Sequence, residues 1–453
     1  MELKRQIGIV TAIMIIIADV IGTGILTTTG EVLGITGSAP AVLILFAVGG
    51  VIALTGSLCY AEMATMWPED GGEYVYLRKM FGPLPSFLTG WISLIIGFSL
   101  AAAMSAIQAV NYLNRFAPEG VIPGEWLPKL AAAGIVVFFS LIHIIGVQKG
   151  SIVQNILTVL KLIVVFLFIA CGFYFIDWSQ SARLAATYPL PSSPPLLNYA
   201  VALITIMYAY SGWNGTVYIA GEIRNPERNL PRALFTATLL VGIIYLLMNV
   251  VFIMSGPGEA IISEAKYTIG DFAAKRLFGE WISPIFNICF VVLLLSSVSV
   301  QMMIGPRVSF AMAKERAIFR VLSRVHPSFG TPDLAIAVQM IVAVCYVFLG
   351  FDAILKMLIY MGFALSVFPL MSVIGMMYLR FKRPDLPRPF KVPFFPVVPL
   401  VYIILTAGLL AATFVKTTFY YSPYDRYASL FAIGAIVIGA CIYAGWKRLA
   451  HSR

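Results

Sequence analysis

Residues 7–29 read IGIVTAIMIIIADVIGTGILTTT, a stretch with a single charged residue, Asp19. It is long and apolar enough to cross the roughly 30 Å hydrocarbon core of a bilayer as a helix. Its centre, IGTGI at 21–25, places two glycines around Thr23. Glycine costs a helix roughly 1 kcal/mol relative to alanine. The stretch therefore predicts a membrane-spanning helix that unwinds at mid-membrane, although glycines that only let two helices pack closely are the alternative.

The whole chain has the composition of an integral membrane protein. Of its 453 residues, 60% are hydrophobic and 11% are charged, with a mean hydropathy of +0.91, whereas soluble proteins carry roughly 25% charged residues. This excludes a soluble enzyme and a disordered chain. We predict an all-α membrane protein, since helices satisfy their own backbone hydrogen bonds, with one domain over 1–453. The twelve predicted spans are 7–29, 40–66, 84–114, 130–147, 151–176, 196–221, 232–255, 281–311, 333–350, 354–379, 397–415 and 427–446.

The basic residues of the loops predict the orientation. With the N-terminus inside, 21 of the 31 Lys and Arg residues fall in inside loops and 9 fall outside. Because cytoplasmic loops are enriched in Lys and Arg, both termini are predicted to be cytoplasmic and the protein to lie in the cell membrane. The net charge of +10 is then a topology signal, and no nucleic-acid partner is expected.

A second break is predicted in span 6, where residues 208–215 read YAYSGWNG. Glycines and polar residues again occur at mid-membrane, 190 residues after the first break and five spans later. Broken helices at matching positions of two five-span halves indicate an inverted-repeat transporter with substrate at the midplane. A half-helix N-terminus offers N–H groups to a carboxylate, and unwound carbonyls accept from an ammonium. The pair of breaks therefore predicts a receptor for a zwitterionic amino acid.

Several motifs resemble one family along almost the whole chain. They are IGTGIL at 21–26, LCYAEMATMWPEDGGEYVYLRKMFGPLPSFLTGW at 58–91, YAYSGWNGTVYIAGEIRNPERNLPRAL at 208–234, GPRVSFAMAKERAIF at 305–319 and YLRFKRPDLPRPFKVP at 378–393. The chain resembles the amino acid–polyamine–organocation superfamily, and within it the L-type amino acid transporter branch.

The resemblance implies a LeuT-type 5+5 inverted repeat with discontinuous helices 1 and 6 and two extra helices. The repeats would be 7–176 and 196–379, and the extra helices would lie in 397–446. It also implies sodium-independent secondary transport of neutral L-amino acids by alternating access, often as exchange. A proton-coupled permease for cationic amino acids or polyamines is the alternative.

The resemblance also implies a substrate site. Backbone N–H groups of Thr23 and Gly24 would meet the substrate carboxylate, and carbonyls of Val20, Tyr208 and Ser211 would meet its ammonium. Tyr208 takes the position of a family aromatic that covers the substrate, and Ser211 replaces a glycine of many relatives. The full predicted set is Val20, Ile21, Gly22, Thr23, Gly24, Tyr208, Ala209, Ser211, Trp213 and Asn214.

Lys161 is the least expected residue in the chain, because a lysine at the centre of a span costs about 2.5–3.5 kcal/mol on insertion scales. In the family a lysine here takes the place of the sodium ion of sodium-driven relatives and bridges spans 1 and 8. Either a fixed positive charge or a proton carrier fits this position. Its predicted partners are carbonyls near Ala18 and Ile21 and one hydroxyl among Ser296, Ser297 and Ser299.

Asp19 is the second charge inside a span, directly before the first break. Three interpretations remain open: an ion pair with Lys161, contact with the substrate ammonium, or a cap on the unwound segment. The ion pair is favoured here because an unpaired buried charge is the costliest arrangement.

Other chemistry has little support in the sequence. There is no HExxH motif and no P-loop, and the five scattered cysteines form no metal-binding pattern. We therefore expect a transporter rather than an enzyme, with no cofactor and no metal. The expected partners are an amino acid substrate and membrane lipid. The loop 115–129 contains no cysteine, so no covalently attached accessory subunit is expected there.

Overall fold

A computed structural model describes residues 3–116, 122, 124–188, 195–265, 268–349, 358–420 and 428–451, and this part of the chain is built from helices. It contains no β-strand, only three isolated backbone bridges. The helices are α1 (Ile9–Val20), α2 (Thr23–Thr36), α3 (Ala39–Met66), α4 (Glu73–Phe81), α5 (Pro83–Ile92), α6 (Ala101–Asn114), α7 (Trp126–Ile145), α8 (Val147–Phe175), α9 (Pro195–Ala209), α10 (Pro226–Met254), α11 (Gly258–Glu264), α12 (Ile269–Ile304), α13 (Pro306–Lys314), α14 (Asp333–Leu349), α15 (Leu358–Lys382), α16 (Val397–Phe419) and α17 (Ala428–His451).

The all-helical prediction is confirmed, and ten of the twelve predicted spans correspond to helices long and apolar enough to cross a membrane. Predicted spans 6 and 9 correspond, within the described residues, to the shorter apolar helices Leu196–Ala209 and Asp333–Leu349. Residues 350, 354–357 and 427 of the predicted spans lie outside the described part of the chain.

Predicted spans 3 and 6 are among those that differ from a simple helix. The predicted span 6 is α-helical only as far as Ala209, and two short 3-10 turns, Gly215–Tyr218 and Ala220–Glu222, follow the break. In the predicted span 3, a π-helical segment (Ser93–Leu100) joins α5 to α6. Such π-helical turns are rare and concentrate at functional sites.

The broken helices lie at the centre of the bundle. Helix α1 packs against α8, α10 and α12, while α2 packs against α9, and α3 packs against α10. Four consecutive residues of α1, 15–18, are fully or almost fully buried. The break in α1–α2 is therefore enclosed by protein, which is the setting in which non-helical backbone is tolerated at membrane depth.

The polar residues of α8 point toward the core of the bundle. Its outer face is exposed and apolar at Ile152, Ile156 and Ile163, whereas Gln154 and Lys161 on the opposite face are fully buried. The exposed positions recur at helical spacing, so one face suits lipid and the other meets the bundle core. The fold thus turns the polar face of α8 toward the break in α1–α2.

At the end of the bundle that carries the loop after α15, Glu62 holds that loop to α3. Its buried carboxylate accepts hydrogen bonds from Arg380 Nε at 2.8 Å and from the Val392 N–H at 2.8 Å, and Arg388 Nε lies 3.3 Å away. Because the carboxylate is fully buried, it depends on these guanidinium groups for its counter-charge.

Replacing Glu62 by glutamine should therefore destabilise the protein. Removing one partner of a buried ion pair costs about 3–5 kcal/mol, and Glu62→Gln leaves buried guanidinium groups without a counter-charge. The check is the thermal unfolding midpoint of the purified protein in detergent. The control is Glu69→Gln, because Glu69 pairs with Lys79 at the exposed surface and such pairs contribute about 0–1 kcal/mol. An equal midpoint for both variants would contradict the role of Glu62 in holding the loop after α15 to α3.

Candidate functional site

The first break separates α1 from α2 at Ile21 and Gly22. Helix α1 ends at Val20, and α2 begins at Thr23 without a side-chain cap on its N-terminus. The first N–H groups of a helix have no partner within the helix. The N–H groups of Thr23 and Gly24 therefore stand at a positive dipole end that suits a carboxylate.

The second break follows α9 and depends on Gly212. Its φ of +97° lies in the left-handed region that favours glycine. A Cβ on Gly212 would also lie 2.7 Å from the carboxylate carbon of Asp19. At the start of this break, the Tyr208 carbonyl accepts from the Ser211 hydroxyl at 2.7 Å and from the Ser211 N–H at 3.0 Å. Both lone pairs of that carbonyl are thus engaged, so Ser211 occupies acceptors that the sequence assigned to a substrate ammonium.

The two breaks touch each other. A Cβ on Gly24 would lie 2.5 Å from the Cα of Ala209, so the backbones approach as closely as glycine permits. The hydroxyl of Tyr245, from α10, lies 2.6 Å from the Val20 carbonyl and 2.9 Å from the Ala209 carbonyl. One phenol therefore joins the ends of both broken helices.

Lys161 lies fully buried beside the first break. Its Nζ donates to the Ala18 carbonyl at 2.8 Å, to the Ile21 carbonyl at 2.5 Å and to the Ser297 hydroxyl at 2.9 Å. An ammonium has three N–H donors, and each of them has an acceptor here. The Ser297 hydroxyl can direct its own proton to either carbonyl, at 3.3 and 3.2 Å. Lys161 therefore joins α8, the break and α12.

The three serines of α12 that the sequence left open have different neighbours. Ser297 is the one that contacts Lys161. Ser296 accepts from the Gln154 amide at 3.2 Å, and the Ser299 hydroxyl lies 3.0 Å from His143 Nε2. A row of buried polar contacts thus links α12 to the adjoining helices α7 and α8.

Asp19 does not form the predicted ion pair. Among the described residues, no carboxylate oxygen lies within 4.0 Å of Lys161 Nζ, so the partners of this lysine are neutral. The Asp19 carboxylate instead lies against Gly212 and Gly215 and interacts with the Gln301 side chain. The turn at Gly212 brings the second break beside Asp19. The spacing of residues in the sequence does not reveal this proximity.

Trp213 and Asn214 connect the second break to the helices around it. The Trp213 ring meets Tyr60 edge-on at a centroid distance of 4.7 Å. The Asn214 amide donates to the Glu73 carboxylate at 2.7 Å. The sequence reasoning missed Glu73, whose partner lies 141 residues further along the chain. It also missed Tyr245, although a tyrosine followed by Asn249 one turn later was a signal of buried polar groups inside a span.

Residues of the second break, together with Asp19 just before the first break, border a cavity, which we call the central cavity. The hydroxyl of Thr23, another predicted substrate residue, lies 3.0 Å from the hydroxyl of Ser105 in α6. Asp19 and Glu73 are the charged residues among those that line the cavity. The full lining is Asp19, Glu73, Thr89, Ile92, Ser93, Gly97, Phe98, Ala101, Met207, Ser211, Gly212, Trp213, Asn214, Tyr218, Gln301, Ala364, Leu365, Ser366, Phe368, Pro369, Tyr402 and Thr406.

No metal centre accompanies this site in the described residues. They contain no group of three or more His, Cys, Asp or Glu side chains that could hold a metal ion. The site offers hydrogen bonds and charge: a half-helix N-terminus, unwound carbonyls, one buried ammonium and two carboxylates on a cavity.

Comparison with known proteins identifies what this arrangement resembles. The family model described as amino acid permease matches residues 7–441. The chain is 32% identical over 418 residues to the b(0,+)-type amino acid transporter 1 of Mus musculus, covering 92% of this chain and 84% of that protein. It is 30% identical over 420 residues to the serine/threonine exchanger SteT of Bacillus subtilis (strain 168), covering 92% of each.

A third relative is the large neutral amino acids transporter small subunit 2 of Homo sapiens, 31% identical over 419 residues, which cover 90% of this chain and 75% of that protein. All three relatives are named as transporters or exchangers, and none as an enzyme. Together with the ten apolar helices, this similarity indicates a multi-pass membrane protein.

The contact between the two breaks gives a test of Gly24. Gly24→Val should reduce amino acid uptake into proteoliposomes at least about tenfold, because the new side chain pushes the α2 N-terminus from Ala209. The control is Gly134→Val, since a Cβ on Gly134 of α7 has no heavy atom within 4 Å. Both variants should elute as folded protein in size-exclusion chromatography. Full uptake by Gly24→Val would remove Gly24 from the site.

Proposed function

The chain belongs to the amino acid permease family, and on that premise we propose that it exchanges neutral L-amino acids across the cell membrane. Transport is secondary, independent of sodium and driven by alternating access. The architecture we propose has twelve spans, with repeats over 7–176 and 196–379, two further helices over 397–446, and both termini in the cytoplasm.

The observation that carries this proposal is the position of Lys161. Its ammonium meets two carbonyls of the first break and the Ser297 hydroxyl. A sodium ion at this point would need those same oxygens, because hard cations are held by carbonyl and hydroxyl ligands. A resident ammonium supplies the positive charge permanently, so transport needs no sodium ion.

The geometry of the breaks supports a zwitterionic substrate. Its carboxylate would meet the N–H groups of Thr23 and Gly24 at the start of α2. Its ammonium would meet the second lone pair of the Val20 carbonyl and the carboxylate of Asp19, since the Tyr208 carbonyl already accepts twice from Ser211. The side chain would extend past Met207 into the central cavity.

A cationic amino acid or a polyamine is the second candidate substrate. The observation in its favour is that the central cavity presents the carboxylates of Asp19 and Glu73, with no basic side chain among its lining residues. Competition by arginine and by citrulline, a neutral side chain of similar length, separates the two candidates. Stronger competition by arginine favours the cationic substrate.

We further propose that the protein acts without a covalently attached subunit. One relative is named a small subunit, which raises the question of a partner. The loop 115–129 of this chain offers no cysteine for a disulfide. Non-reducing electrophoresis of the protein from its native membrane should show a single chain.

Uptake should not depend on sodium. Labelled L-serine or L-leucine should enter proteoliposomes preloaded with the same amino acid equally well in sodium chloride and in choline chloride. The physical reason is that Lys161 already occupies the oxygens of the cation position. Empty proteoliposomes serve as the control for exchange. A strict requirement for sodium would refute the proposal.

Replacing Lys161 by alanine should reduce exchange by about tenfold or more. The change leaves the Ala18 and Ile21 carbonyls and the Ser297 hydroxyl without a donor, at about 1–3 kcal/mol for each buried group. That energy biases the balance between inward-open and outward-open states. Arginine should not restore exchange, because its wider planar fork does not fit a site shaped for an ammonium.

The matched control is Lys149→Ala, a change of an exposed lysine on the same helix. The measurements are the exchange rate and the accessibility of an introduced cysteine from each side of the membrane. If Lys161→Ala exchanges like the unmodified protein, with the same accessibility, Lys161 has no part in the cycle.

A further inference from the structure

Glu73 is a buried carboxylate that the proposed substrate site does not use. It is the first residue of α4, and the side chain is 4% exposed. Its Oε1 accepts from the Tyr60 hydroxyl at 2.8 Å and from the Asn214 amide at 2.7 Å. Its Oε2 accepts from the Thr89 hydroxyl at 3.2 Å. Both oxygens are therefore held by three different parts of the chain.

The groups around Glu73 include no cation. The titratable groups that face it are four phenols: Tyr60 from α3, Tyr76 from α4, Tyr218 from the segment after the second break, and Tyr402 from α16. Among the described residues, no Lys, Arg or His nitrogen lies within 4.0 Å of its carboxylate. A carboxylate in such a place is stabilised by hydrogen bonds alone, so binding a proton relieves its charge.

Several other buried carboxylates among the described residues have a basic partner. Glu222 accepts from Arg307 Nε at 2.8 Å, and Asp271 from Arg115 at 2.9 Å. Burial without such a partner raises the pKa of Glu73 to about 7, although the hydrogen bonds from Tyr60, Thr89 and Asn214 oppose the shift. The group therefore changes charge within the physiological range.

The central cavity connects Glu73 with the substrate site. Glu73 lines this cavity together with Asp19, Ser211 and Gly212. Gln301 lines it too, and its Oε1 has no hydrogen-bond partner although the side chain is only 7% exposed. An unpartnered buried acceptor on a residue that lines this cavity favours a donor, such as a protonated carboxyl group, inside the cavity.

We propose that Glu73 is a proton-binding site of the transport cycle, and that net uptake of an amino acid is coupled to the entry of this proton. The inference rests on the proposed transport function and adds an ion to it. Glu73 takes up the proton from water that reaches the cavity from one side and releases it to water on the other side. Exchange of one amino acid for another needs no net proton movement.

The contact with Asn214 explains how the proton affects the cycle. Asn214 lies in the second break, between Gly212 and the 3-10 turn that begins at Gly215. Hydrogen bonds to a charged acceptor are roughly twice as strong as those between neutral groups. Protonation of Glu73 therefore weakens the attachment of the second break to α4 and permits it to move with the substrate.

Asp19 is a poorer candidate for the proton, although it lines the same cavity. Its carboxylate lies near the Lys161 and Gln301 side chains, whereas Glu73 is held by hydroxyl and amide groups. Lys161 itself donates to three acceptors.

The test is uptake of labelled L-serine or L-leucine into empty proteoliposomes with an acidic exterior and a neutral lumen, with the membrane potential clamped. One pH unit corresponds to about tenfold accumulation. The unmodified protein should accumulate substrate by up to this factor. Glu73→Gln should lose the accumulation while retaining exchange at symmetric pH within about threefold, and Glu73→Asp should retain both, because it keeps a carboxyl group.

Glu69→Gln, a change of an exposed carboxylate just before α4, is the matched control and should accumulate normally. Accumulation by Glu73→Gln, or its absence in the unmodified protein, would overturn the proton site. Exchange at symmetric pH without such accumulation would leave the proposed function intact. Absence of exchange in the unmodified protein would instead contradict that function.

A measurement without transport tests the same site. The native pKa of Glu73 is above its unfolded value of about 4.3, so its protonation stabilises the fold at low pH and this contribution is lost as the pH rises to about 7. From about pH 5 to about pH 8, the unfolding midpoint of the unmodified protein should fall relative to Glu73→Gln. A constant difference would overturn the proton site.

Discussion

The backbone carbonyls freed at the first break must find hydrogen-bond donors inside the bundle, and this requirement shapes the packing around them. A helix that ends inside a protein leaves its last carbonyls without partners, and at this depth no bulk water supplies a donor. The Ala18 and Ile21 carbonyls bond to Lys161, and the Val20 carbonyl bonds to Tyr245. The break therefore exists because α8 and α10 bring donors to it, and the same donors hold these two helices in register with α1.

Two kinds of buried carboxylate can be distinguished among the described residues. Those near the helix ends, such as Glu62 and Glu222, are held by arginines and join segments that are far apart in sequence. Glu73 is held by hydroxyl and amide groups instead. A paired carboxylate resists protonation, whereas an unpaired buried one favours it. Carboxylates with a neighbouring arginine thus hold segments of the chain together, whereas Glu73, which has no neighbouring arginine, is the proposed proton site.

A single cavity brings the proposed functions together. Asp19 precedes the first break, Gly212 and Asn214 form part of the second, and Glu73 belongs to a short helix between two spans, yet all four line the central cavity. In the proposed cycle, a substrate, a proton and the fixed ammonium would therefore act on the same two non-helical segments. These segments lack continuous helical hydrogen bonding, so they are the parts of the bundle where small changes in charge alter the backbone at least cost.

The class of the protein, the position of both breaks and the presence of Lys161 within a span follow from the amino-acid sequence, because hydrophobicity, glycine and a charge within an apolar run are local properties. The family resemblance added that carbonyls near Ala18 and Ile21 and a serine of α12 would lie near Lys161. Helix packing determines that this serine is Ser297, that Asp19 lies against Gly212 instead of Lys161, and that Glu73 contacts Asn214. These contacts join residues up to 193 positions apart, and the packing of helices, which no local pattern encodes, determines which of them meet.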